Sequence, residues 1–265
     1  MNLHRTIGIV LAVGACGLTN AVTAAEFSSA RYDWSGVYIG ATAGAGWSKD
    51  RVELNASGPY VGNDAAAFSA LGSTNFKDNG GIFGGKVGIN GAFDSWVVGL
   101  EGDWSSLRVR GSTQIEGHPY IKTDPWPGYM AKFDESISAD WLATVRGRVG
   151  YAFDRVLFYG TAGVAFGNQR FSSVITDYAP LGSSGGSGAA AQSGVEVGWA
   201  AGGGVDYAPS DNWIVSLEYL HVDLGEMNAH GLMTTGNPNT ADLNFSSRLD
   251  SDIVRAGLAY KFGGN

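Results

Sequence analysis

The chain has 265 residues, 41 of them glycine, with 16% charged residues and a formal net charge of −8. So few charges fall below the roughly 25% of ordinary soluble domains, and the acidic balance excludes nucleic-acid binding as a primary role. Glycine shows no three-residue period, which excludes collagen, and beyond the N-terminal region no stretch approaches the roughly 20 apolar residues of a transmembrane helix.

Residues 1–25 read as a cleaved export signal. His4 and Arg5 open it, Ile7 to Ala15 form a short apolar run, and Val22-Thr23-Ala24 and Thr23-Ala24-Ala25 both suit a signal peptidase. The mature domain would span 26–265. Cys16, the only cysteine, falls inside the removed segment; Val13-Gly14-Ala15-Cys16 is a poor match to a lipoprotein cleavage site. No disulfide is expected, and closure of a sheet would have to stabilise the exported protein instead.

Two-residue alternation of apolar side chains then recurs eight times, near 36–47, 81–93, 96–107, 138–153, 156–169, 195–208, 213–223 and 248–262. Asp94-Ser95, Asp154-Arg155 and Pro209-Ser210-Asp211-Asn212 are turn-forming connectors of antiparallel hairpins. The connectors near 48–80, 108–137, 170–194 and 224–247 are long, polar and rich in Gly, Ser, Asn and Thr, and are expected to be loops. Strict alternation of short and long connectors predicts an all-β fold: an eight-stranded, antiparallel, up-and-down transmembrane barrel with short periplasmic turns and four long outer loops.

The faces support this. One carries Phe83, Val87, Ile89, Val98, Leu100, Val145 and Val149 without a charge in the central span of any strand. The other carries Lys86, Arg146, Arg148, Arg255 and Lys261 against Glu101, Asp103, Glu196, Asp206 and Glu218. A cation facing lipid at mid-membrane costs about 2–4 kcal/mol, so the charged face must point inward, and its balanced signs imply pairing. An eight-stranded barrel is just wide enough for side chains to fill. The interior is therefore expected to be polar and largely plugged, leaving room for a narrow or gated ion path at most. Aromatic residues cluster beside the short turns, as in Gly150-Tyr151-Ala152-Phe153, and Trp96 and Trp213 begin the strands that leave two of them, as a membrane–water girdle would require.

Trp34-Ser35-Gly36-Val37-Tyr38-Ile39-Gly40, with Tyr260-Lys261-Phe262 near the end, resembles the small outer-membrane barrels of alphaproteobacteria, often described as outer membrane immunogenic or porin-family proteins of OmpA-type architecture. The resemblance covers the mature chain and implies a surface-exposed integral protein recognised by hosts as an antigen, embedded in lipid and lipopolysaccharide, and not an enzyme. Leu258, Tyr260 and Phe262 are similar to the signal read by the barrel-insertion machinery, although Gly263-Gly264-Asn265 follow. The chain ends three residues after the last strand, so no periplasmic wall-binding domain is expected.

Other chemistry finds little support. His221-Val222-Asp223 could orient a histidine toward a hydroxyl, as a lipid A-modifying enzyme would need, but no serine nucleophile is identifiable. His118-Pro119-Tyr120 could offer an axial haem ligand from a loop, yet a lone loop histidine is ordinarily solvated. His118, His221 and His230 have no metal-ligand spacing. Gly202-Gly203-Gly204 lacks the Lys-Ser/Thr of a phosphate loop. Neither a cofactor nor a metal is expected. Leu181 to Gly188 reads as a flexible linker-like tract.

Overall fold

A computed structural model of the chain describes residues 32–58, 61–119, 130–178, 185–234 and 240–263. The export signal, Cys16 and residues 181–184 of the glycine-rich tract lie outside them. Eight antiparallel strands, β1 (Gly36–Ser57), β2 (Thr74–Phe93), β3 (Trp96–Pro119), β4 (Met130–Phe153), β5 (Val156–Tyr178), β6 (Ser187–Tyr207), β7 (Trp213–Thr234) and β8 (Thr240–Lys261), pair in chain order. β8 returns to β1, from Tyr38 opposite Lys261 to Ser57 opposite Asp242, and closes the ring. Asp94 and Asp154 take the left-handed conformation at two short turns (φ 54° and 51°), which Asp tolerates better than most residues.

The strands are 20–24 residues long, about twice the 9–11 that cross an outer membrane. Most of each segment expected as an outer loop is therefore strand: 48–57 and 74–80, 108–119 and 130–137, 170–178 and 187–194, and 224–234 and 240–247. Between β1 and β2 the chain also forms a 3-10 turn, Gly62–Asp64, and one helix, α1 (Ala65–Leu71).

The reason for the extra length is an inversion of faces. On β1, Val37, Ile39, Ala41 and Ala43 point outward below Trp47, while Lys49, Arg51, Glu53 and Asn55 point outward above it. Inward, Tyr38 and Thr42 give way to Val52, Leu54 and Ala56. Side-chain parity along a strand is fixed; what changes at Trp47 is the solvent outside, from lipid to water. On β3, Trp96 and Trp104 bracket the lipid-facing band and stand roughly 20 Å apart along the membrane normal at the usual rise and tilt. Below it, Trp96 meets Tyr151 and Trp213 meets Tyr260, each with ring centroids 5.4 Å apart.

The interior is layered. Tyr32, Trp34, Val97, Leu157 and Ile214 form a floor at the short-turn end. A charged layer follows, then Ile82, Leu107, Leu142, Leu220 and Ile253. The top is an apolar core of Val52, Leu54, Phe133, Phe171, Ile175, Met227 and Phe245, into which α1 inserts the fully buried Phe68. The wall also loosens above the membrane band. The β2–β3 ladder stops at Phe83 opposite Ser106, and the β6–β7 ladder lapses between Trp199 and Ala190. The charged network is thus confined to one layer, and the apolar clusters above it, which the water-exposed half of the barrel needs as its core, still enclose scattered polar side chains, among them Ser48, Asp50, Glu135, Gln169, Ser173 and Ser247.

Candidate functional site: the charged layer inside the barrel

Four cations, Lys86, Arg146, Arg148 and Arg255, and four carboxylates, Glu101, Asp103, Asp206 and Glu218, are buried together. Arg146 is fully enclosed and fans three ways: Nη2 to Glu101 Oε1 at 2.7 Å and Asp103 Oδ2 at 2.9 Å, and Nη1 to Glu218 Oε1 at 2.8 Å. Arg255 bridges Asp103 at 2.9 Å and Glu218 at 2.7 Å. Arg148 holds Asp206 at 2.5 Å, and Lys86 stands 3.5 Å from Glu101.

Neutral groups complete the layer. The Tyr38 hydroxyl donates to Glu101 Oε2 at 2.8 Å and accepts from Arg148 at 2.9 Å. Tyr159 donates to Glu218 at 3.3 Å and lies face-on under the Arg148 guanidinium, 3.9 Å away. Thr144 donates to Asp103 at 2.6 Å. Tyr38 on β1, Lys86 on β2, Glu101 and Asp103 on β3, Arg146 and Arg148 on β4, Tyr159 on β5, Asp206 on β6, Glu218 on β7 and Arg255 on β8 thus bring every strand into one network. Isolated, each of these charges would be costly to bury; opposite in sign, equal in number and hydrogen-bonded, they largely satisfy one another, with Arg148 Nε and Asp206 Oδ1 left without a hydrogen-bond partner among the described residues.

Two of the ten residues expected here stand apart. Glu196 is only half-buried and sits where β6 leaves its β7 partner, beyond the network. Its inward parity holds, but the local lapse of the ladder gives its carboxylate access to water. Lys261 lies below the network, where its ammonium donates to the Asp33 carbonyl and stands 4.3 Å from the centre of the Tyr32 ring. Sequence reasoning missed Tyr38 and Tyr159, although their inward parity could have revealed them. It also missed the part played by Trp34, whose indole N–H donates to the Asp154 carbonyl at 3.0 Å and fixes the floor. Leu258, Tyr260 and Phe262 are exposed on the lipid-facing side near the short-turn end.

His221 points outward beside Trp199, ring centroids 5.3 Å apart. Its Nδ1 lies 2.9 Å from Asp252 Oδ1, an oxygen that also accepts from the Tyr219 hydroxyl at 2.8 Å. The orienting carboxylate is therefore Asp252 on β8 and not Asp223, which is drawn to Arg248 at 2.5 Å. A bulge interrupts the β7–β8 register just beyond it, between Asp223 and Glu226. His230 stands 3.8 Å from Asp242. The side chain of His118 lies outside the described residues.

The family described as "Outer membrane protein beta-barrel domain" matches residues 9–262. The 31 kDa outer-membrane immunogenic protein of Brucella melitensis biotype 1 is 30% identical over 87% of this chain and 85% of its own length. The 25 kDa outer-membrane immunogenic protein of Brucella abortus biovar 1 is 25% identical, with 88% and 81% covered. A 22 kDa outer membrane protein of Rhizobium leguminosarum bv. viciae is 30% identical over 46% of this chain and 47% of its own. Among solved structures, the outer membrane protease OmpT from Escherichia coli is similar with a TM-score of 0.41 and 13% identity, covering 86% of this chain and 97% of that one. From its lipid-facing band to its alphaproteobacterial relatives, the chain belongs to the outer membrane protein β-barrel domain family and resides in the cell outer membrane.

Proposed function

We propose that this protein is a closed structural barrel that anchors a rigid, surface-exposed β extension for contact with the environment or a host. The observation that carries the reading is the interior: a layer of paired charges contributed by all eight strands, stacked between an aromatic floor and two apolar layers. On this reading the apolar clusters interrupt any hydrated route for ions, because aliphatic side chains cannot replace the hydration of a bare ion. Its water-exposed faces, polar outside and apolar inside, are sheet surfaces that present side chains in fixed register, a suitable platform for recognition by antibodies or a surface ligand.

Planar-bilayer recording of the purified protein tests this. No steady conductance is expected. A stable ohmic step would overturn the closed-barrel reading and favour a small pore. The same reading assigns no catalysis to the His221–Asp252 pair: lipid A mass spectra are expected to be the same with and without the protein, and a shifted acylation pattern would make it a lipid A-modifying enzyme. During biogenesis the barrel-insertion machinery would engage Leu258, Tyr260 and Phe262.

A further inference from the structure

Immediately above the lipid-facing band, cations are placed against cations. Lys49 is directly opposite Lys77 in the β1–β2 register, and Arg51 directly opposite Arg248 in the β1–β8 register. All four point outward. Like charges directly opposite across a ladder repel, and such an arrangement persists when something else offsets the repulsion. Nearby cations have found partners: Arg248 has Asp223 at 2.5 Å, and Arg110 and Arg170 share Asp140 at 3.7 and 3.3 Å. Among the described residues, Lys49, Arg51 and Lys77 have no carboxylate within 4.0 Å.

Several acids around them are engaged, while Glu226 lies opposite Arg248 and outward Glu53 lies two residues from Arg51, both on the side away from Lys49 and Lys77. Asp78 accepts the Arg110 and Asn79 backbone N–H groups, each at 2.8 Å. Asp252 is held by Tyr219 and His221. Asp250 lies opposite Lys49 on the β8 side and can offset one of the four charges. Between the two lysines is a surface crevice of about 330 Å³, lined by Trp47, Ser48, Lys49, Lys77, Asp78 and Asn79.

We propose that this crevice binds a phosphate group of an outer-leaflet glycolipid, with Lys49 and Lys77 on the phosphate and Trp47 against the start of an acyl chain. Height and chemistry carry the assignment. Lys49 lies two residues beyond Trp47, about 7 Å along the strand, and beneath Trp47 the outward residues Ala45, Ala43 and Ala41 belong to the lipid-facing side. Two ammonium groups on flexible stems can converge on one phosphate. A ligand carrying hydrocarbon directly below its anion fits this step from tryptophan to lysine; free phosphate has nothing to place against the indole. The proposal does not depend on whether the barrel interior conducts.

The test is native mass spectrometry of the folded, detergent-purified protein titrated with bis-phosphoryl lipid A, with dephosphorylated lipid A and inorganic phosphate as separate arms. Removing both lysines (K49Q with K77Q) is expected to lower lipid A affinity roughly 25-fold, about fivefold per lysine. Restoring charge as K49R with K77R recovers it, and Lys132→Gln, a residue 3.4 Å from Asp134 higher on the barrel, leaves it unchanged. Dephosphorylated lipid A binds as weakly to the native protein as the phosphorylated form does to the double variant. Unchanged lipid A binding by a folded double variant, checked by heat-modifiable gel mobility, overturns the site. Equal affinity for dephosphorylated lipid does so too, and displacement by millimolar inorganic phosphate overturns the lipid assignment. Should the double variant not fold, Lys77→Gln alone carries the test, with a roughly fivefold loss expected and no loss overturning it.

Discussion

Arg146 on β4 and Glu218 on β7 meet inside the barrel, Nη1 to Oε1 at 2.8 Å, although three strand spacings, about 14 Å, would separate their strands in a flat sheet. Closure brings them together, and the same arginine also binds Glu101 and Asp103 on β3. Breaking a buried pair by removing one partner costs about 3–5 kcal/mol. Arg146→Met is expected to lose that much in denaturant unfolding from micelles, because three carboxylates lose a partner at once. Arg146→Met combined with Glu218→Leu should cost less than the sum of the single changes, with coupling on the order of 1–3 kcal/mol. Strict additivity would show that the pair is not coupled. Replacing Arg146 and Arg148 together with Met should add only a small conductance, since the apolar layers above remain.

Trp34 bears on the opposite end. It is almost fully buried, stacks edge-on with Tyr32 at 4.9 Å and donates to the Asp154 carbonyl at 3.0 Å. Trp34→Ala is expected to cost about 3–5 kcal/mol and to lower the temperature at which the folded band disappears from unheated gels. Trp34→Phe should recover most of the packing but not the hydrogen bond, leaving a deficit of roughly 0.5–1.5 kcal/mol.

The membrane half of the fold was legible because its signal is simple: alternation such as Val254, Ala256, Leu258 and Tyr260 against Arg255 and Lys261, repeated eight times and punctuated by Asp94-Ser95 and Asp154-Arg155. The water-exposed half was hidden by the inversion at Trp47. Val52, Leu54 and Ala56 alternate with Arg51, Glu53 and Asn55 as regularly as any lower strand, but in the opposite parity, and the polar residues between them resemble a loop when only one parity is sought. The network was partly legible for a related reason. Parity placed Arg146, Arg148 and Glu218 inside, but it could not foresee the lapse of the β6–β7 ladder that lets Glu196 reach water. Nor can parity give height within the barrel, which is why Lys261 was grouped with charges that lie above it.

Phe68 offers a test of the upper core alone. The short helix α1 brings it against Phe133, ring centroids 5.2 Å apart, with no exposed surface left. Seven residues cannot hold a helix in water unaided, so α1 depends on that anchor. Phe68→Ala is expected to raise amide hydrogen exchange across 61–73 by about two orders of magnitude or more, as a loss of about 3–5 kcal/mol implies. Exchange around Arg146 should not change. Equal acceleration in both regions would mean that the upper and lower cores unfold as one unit.

Glu135 makes the upper core sensitive to pH. It lies inward on β4, above the lipid-facing band, between Phe133 and Ile137, and neither of its oxygens has a hydrogen-bond partner among the described residues. Burial pushes its carboxyl up to about 7, against an unfolded value near 4.3. Asp50 moves the same way, also up to about 7, chiefly through burial and further through Asp250, against the hydrogen bond from Ser247. In both, the folded state keeps a proton that the unfolded chain releases. Between about pH 4 and 7 the folded state therefore binds more protons, and stability falls as pH rises. The stabilisation is fully present below about pH 4 and is gone above the folded value. Denaturant unfolding followed from pH 4 to 8 should show this decline, opposite in sign to that of salt-bridged carboxylates. Glu135→Leu is expected to remove about half of it and to stabilise the protein at pH 8 by about 1–3 kcal/mol, because an unpartnered polar group is replaced by one the apolar core accepts. An unaltered pH slope in Glu135→Leu would place the titration elsewhere.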